Sequence, residues 1–123
     1  MNKLITPELK QTFLNYPLYS QDNMREDAIC VCAFFIGSVR WYVLEGQPEG
    51  DDFTLFSIVV GLSETEYGYV SVRELESIRI DARRYGLGIV RVMQIPNMKE
   101  CRLADIPDDE LQSFLMELHG SES

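Results

Sequence analysis

The chain has 123 residues, a formal net charge of −9, and 46% hydrophobic against 25% charged residues. That length supports one domain around one core, expected over 1–120 with 121–123 as a disordered tail. The longest uncharged apolar run, 28–36, is far too short to span a bilayer, and residues 1–7 lack the apolar core of a signal peptide, so no membrane contact and a cytoplasmic location are expected.

Thr6-Pro7-Glu8 predicts a helix start, with Thr6 as cap, Pro7 in the first turn and Glu8 against the helix dipole. Leu9 and Phe13 then share a face, and Pro17 ends the helix near Asn15. Residues 28–36 are apolar on both alternating sets, which predicts a central strand covered on both faces. Gly37-Ser38 is a hairpin turn. On the return strand, 39–45, Val39, Trp41, Val43 and Glu45 take one face, and Arg40, Tyr42 and Leu44 the other. Residues 46–52, with Pro48 and Gly50, read as a loop.

Residues 53–60 form the third strand and 67–70 a short fourth. Ser71 and Glu74 stand three apart in a capping box, with Val70 and Leu75 at the staple positions, so a helix runs from Val72 to about Ile80. Gly86 and Gly88 mark a loop, 89–94 a fifth strand, and 99–103 a short sixth. Pro107 opens the last helix, in which Leu111, Phe114, Leu115 and Leu118 make one buried stripe that Gly120 ends. The fold expected is α+β: a mostly antiparallel meander of about five strands, with three helices packed mainly on one face.

Several of these segments carry a family likeness. Thr6-x-Glu8-Leu9, Pro17-Leu18-Tyr19, Asp27-Ala28-Ile29, Phe34-Phe35, Trp41-Tyr42-x-x-Glu45, Gly61-Leu62, Gly68-Tyr69-Val70-Ser71 and Glu74-Leu75-Glu76-Ser77 resemble a family of short bacterial proteins known as domain of unknown function 2958. The resemblance covers 5–77 and departs over 79–103. It implies a setting on plasmids and conjugative elements and no established activity.

Charge is segregated along the chain. Residues 45–72 hold six acids and no bases, 73–102 seven bases and four acids, and 103–123 six acids and no bases. Direct nucleic-acid binding is not expected of such a chain. Arg79, Arg83, Arg84 and Arg91 are read as pairing with the acidic segments of the same domain. Cys30 and Cys32, two apart on one strand, point the same way and read as small core hydrophobes. A zinc site would have to recruit Cys101 and His119, without the spacing of a structural site, so neither metal nor cofactor is expected. His119, at a helix end, has nothing near it in sequence to orient it as a base.

Glu45 is the carboxylate singled out. It ends the Trp41 strand on the Trp41 side, beside a loop, although a solvated strand end is the commoner fate of such a residue. Trp41, Tyr42, Tyr67 and Tyr69 could line a binding groove with it, against the core role usual for strand aromatics. No nucleophile elbow, phosphate loop, dinucleotide fingerprint or zinc-protease motif occurs, which argues against an enzyme. The leading expectation is a non-catalytic accessory or protein-interaction domain, including an acidic mimic acting on a DNA-binding partner. Its rival is a small-molecule-binding protein or enzyme using Glu45 with an arginine such as Arg40. An unknown protein partner or a second copy of the chain completes the expectation.

Overall fold

The computed structural model describes residues 4–120. Thr6 caps α1 (Pro7–Phe13), its hydroxyl accepting from the Leu9 amide at 3.2 Å, and Leu9 and Phe13 turn inward. The apolar run then makes two strands, β1 (Ile29–Cys30) and β2 (Cys32–Ile36), rather than one. The chain breaks at Val31, whose amide donates to the Val43 carbonyl at 2.8 Å. Cys30 and Cys32 therefore lie in the cores on opposite sides of the sheet, not on a shared face.

A long hairpin follows, β3 (Val39–Glu49) and β4 (Asp52–Val60), and β5 (Glu66–Ser71) returns beside β4. Most of the loop expected over 46–52 is strand. Pro48 fits because the Gly46 amide, two residues back, already points away from β4 to the Tyr16 carbonyl. By the period of two, the N–H that Pro48 lacks would face that same side, beyond the end of β2. Only the turn at Gly50, with φ +62°, needs glycine's freedom.

The Ser71 box forms as expected: the Ser71 hydroxyl accepts from the Glu74 amide at 3.0 Å, and the Glu74 carboxylate accepts from the Ser71 amide at 3.1 Å. The helix they start, α2 (Val72–Ser77), stops three residues before Ile80. Ile78 is extended, and the chain enters a second hairpin, β6 (Arg79–Asp81) and β7 (Ile89–Arg91). Residues 89–94 thus serve two sheets, since β8 (Met93–Gln94) leaves the hairpin and pairs with β2. A last short strand, β9 (Cys101–Arg102), pairs with β1. The final helix, α3 (Asp109–His119), begins two residues after Pro107 with Asp108 as its cap.

The main sheet has the order β5-β4-β3-β2-β8 and is antiparallel throughout, so the fold is α+β. α1 and α2 cover one face with Phe34, Trp41, Val43 and Leu55. α3 covers the other with Tyr42, Leu44, Ile58 and Val60. Two helices thus share a face and the third takes the opposite one, which is why β2 is apolar on both sides. Each large side chain buried in this way contributes about 1.5–3 kcal/mol of transfer free energy. No helix among the described residues is long and apolar enough to cross a membrane.

Candidate functional site

One irregularity in β3 decides where the site residues point. Val43 pairs with Ser57, but Glu45 pairs with Phe56, so Leu44 is an extra residue, a β-bulge. Paired residues share a face, and Phe56 lies on the face of Ile58 and Tyr42. The bulge therefore moves Glu45 off the Trp41 side and onto the α3 side. It also leaves Glu45 inside β3 rather than at its end.

Glu45 is buried, at 2% exposure, and not solvated. Its two oxygens accept from the backbone amides of Tyr19 at 2.7 Å and Gln21 at 2.8 Å. Gln21 is buried beside it. Its amide nitrogen donates to the carbonyls of Ile29 and Leu44, both at 2.8 Å, and its oxygen accepts from the Ile29 amide. Leu44 is the bulge residue, so the bulge and the Gln21 side chain satisfy each other. Together Glu45 and Gln21 hold a loop in which Tyr19, Asn23 and Arg25 all adopt positive φ. Left-handed backbone of this kind costs on the order of 1–3 kcal/mol per non-glycine residue, less for Asn, and persists only where surrounding bonds dictate it.

The aromatic candidates divide between the faces. Trp41 is buried in the core under α1 and α2. Tyr42, Tyr67 and Tyr69 lie on the Glu45 face, by their register with β4. Tyr67 stacks on Phe56 at 5.5 Å with the rings 2° from parallel and meets the edge of Phe114; Tyr69 leans on Phe56 at 4.9 Å and is exposed. The Tyr67 hydroxyl lies 3.0 Å from His119 Nε2, a partner that sequence distance concealed, while His119 Nδ1 is buried without a bond among the described residues. A cavity of about 420 Å³ lies here, walled by Gln21, Leu44, Phe56, Tyr67 and His119.

Tyr42 and Arg40 serve α3 instead. The Tyr42 hydroxyl donates to the Asp108 carboxylate at 2.5 Å, and Arg40 donates to it through Nε at 3.0 Å and a terminal nitrogen at 2.8 Å. Asp108 also caps α3 through the amides of Glu110 and Leu111. Burial alone pushes the Asp108 carboxyl upward, but the bonds from Tyr42 and Arg40 outweigh it and hold the carboxyl below its ordinary value. Burial, then the Asp108 charge, push the Tyr42 phenol up to about 12. Arg40 and Glu45 are thus not brought together. Sequence reasoning missed Asp108 and Gln21 because their partners are 66 and 23 residues away.

The cysteines are placed for packing. Burial pushes the Cys32 thiol up to about 12, and burial followed by the neighbouring thiols holds Cys30 well above its ordinary value. Among the described residues no group of three His, Cys, Asp or Glu side chains is placed to hold a metal ion.

Beside α3 lies an acidic groove of about 730 Å³. Glu110, Phe114, Glu117 and Leu118 recur along one face of the helix, Asp109 joins them at its start, and Glu64 closes the groove from the β4–β5 loop. The arginines 79, 83, 84 and 91 are on the β6–β7 hairpin and its tip. Arg83 pairs with Asp81 of the same hairpin, and among the described residues none of the four pairs with the acidic segments, contrary to the expectation from charge.

The molecule is a small α+β domain in which Glu45 and Gln21 bind the chain's own backbone and Asp108 caps α3, with carboxylates along α3 and arginines on the β6–β7 hairpin. The chain belongs to the family described as protein of unknown function (DUF2958), whose model matches residues 4–104. The match runs on through 79–103, where the resemblance read from the sequence stopped, and ends before α3. No curated protein and no solved structure matches the chain.

Proposed function

We propose that this protein is a non-catalytic accessory or protein-interaction domain of a mobile genetic element, and that its acidic groove is presented to a basic surface on a DNA-binding partner. The observation that carries this reading is the groove itself. Glu64, Asp109, Glu110 and Glu117 surround an apolar floor of Phe114 and Leu118. Carboxylates of one sign around apolar contact suit a surface built for phosphates and sugar edges, and they raise the encounter rate with a basic partner. Glu45 supports the same reading from the other side, since both its oxygens are taken by backbone amides.

The test is capture from cells that carry the parent element, with the intact protein immobilised. A partner should be retained by the wild type, released by competing duplex DNA, and lost with Glu64→Lys/Glu117→Lys. A partner indifferent to both the DNA and the variant would refute the reading.

A further inference from the structure

We propose that the β6–β7 hairpin is a docking arm, and that its occupant is the acidic groove of a second copy of this chain. The inference rests on the reading of that groove as a site for a basic partner. The hairpin is a ribbon of its own, paired to no strand of the main sheet. Val90 packs on the core, so by the period of two the residues alternating with it, Arg79, Asp81, Ile89 and Arg91, face outward. The tip adds Arg84, Tyr85 at 73% exposure and Leu87 at 69%. Large apolar side chains at that exposure, gathered on one short ribbon, mark a contact surface rather than scattered surface residues.

The charges on the ribbon say what the contact is with. Arg79 and Arg91 are directly opposite each other in the register, an arrangement that destabilises an isolated hairpin. Neither Arg79, Arg84 nor Arg91 reaches a carboxylate among the described residues. The same molecule carries the complementary surface, Glu64, Asp109 and Glu117 around Phe114 and Leu118, with Glu110 beside them 3.4 Å from Arg40. Arginines flanking Tyr85, Leu87 and Ile89 match carboxylates flanking an apolar floor. The exposed aliphatic side chains favour a polypeptide over nucleic acid as the occupant. Net charge does not forbid the contact: charges screen over about 8 Å at physiological salt, so local complementarity outweighs repulsion across the whole molecule. Arm and groove are different surfaces, so the contact is heterologous and each copy offers one of each.

Sedimentation velocity on the full chain tests this. The wild type should associate with rising concentration, and less so as sodium chloride goes from about 0.1 to 0.5 M. The arm variant Arg84→Glu/Arg91→Glu and the groove variant Glu64→Lys/Glu117→Lys should each weaken association at least about tenfold alone. All four residues are exposed, and Arg91→Glu removes the like-charge pair with Arg79, so melting curves should fall no lower than the wild type's. Mixed together, the two variants should form a 1:1 complex, because the intact arm of one meets the intact groove of the other. A wild type that stays monomeric at its solubility limit, an arm variant that associates normally, or a mixture without a complex would each overturn the proposal. A gel shift of duplex DNA that the arm variant abolishes would overturn it too, by giving the arm a nucleic-acid occupant. Should the wild type be monomeric while the groove variant still loses its DNA-competed partner, only self-docking fails and the proposed function stands.

Discussion

Glu45 is a latch for the 19–25 loop. Its two oxygens satisfy two buried amides, and that loop holds three left-handed residues in place. Glu45→Gln keeps the size but leaves one oxygen for two donors and turns an NH₂ toward the second amide. The expected cost is about 2–3 kcal/mol, read from urea denaturation, because a buried donor is left unpaired. A change within about 0.5 kcal/mol would mean the loop is held by other bonds. Asp108 makes a second prediction at this scale. Its folded pKa lies below its unfolded value, so its contribution is fully present above the unfolded value, about 4, and is lost as pH falls through the folded one. Asp108→Asn should therefore cost about 2 kcal/mol at pH 7 and progressively less below pH 4. A penalty that does not change with pH would show that the loss does not come from the charge of the carboxylate. The sequence singled out Glu45 as a candidate for binding beside Trp41; neither its burial on backbone amides nor its direction was legible there. Alternation places it beside Trp41, and one bulge residue reverses that, with no turn residue at Leu44 to announce it.

At the scale of elements, the start of α2 was written locally and was readable for that reason. Ser71, Glu74 and their two amides lie within four residues. Ser71→Ala should lower stability by on the order of 1 kcal/mol in thermal denaturation, and no change would show that the helix start does not depend on the cap. The end of the same helix was not readable. Apolar Ile78 and Ile80 continue a helical stripe about as well as they begin a strand, and the partner that decides, β7, comes ten residues later. Pro48 and Gly50 suggested a loop over 46–52, most of which is strand, for a similar reason. Gly46 is required by packing, since a Cβ there would come within 2.7 Å of Phe53 and 2.9 Å of Leu55. Local signals named the Thr6 and Ser71 caps and the Gly37-Ser38 turn but started the last helix at Pro107 instead of after its Asp108 cap, whereas long-range pairing decided strand lengths and hairpin partners.

For the molecule as a whole, the proposal places function on the charged exterior, while the buried polar groups hold the fold. The charge blocks were visible in the sequence, but their use was not, because pairing within the chain and display to a partner require the same residues. Among the described residues Arg79, Arg84 and Arg91 make no ion pair, which supports the proposed display to a partner. The measurement that tests this division most directly compares two variants for capture of the DNA-competed partner, with melting curves recorded on the same samples. Glu64→Lys/Glu117→Lys should melt within about 0.5 kcal/mol of the wild type and lose the partner. Glu45→Gln should melt lower and, while still folded, retain it. The reverse pattern, a groove variant that captures normally and a folded Glu45→Gln protein that does not, would contradict the account.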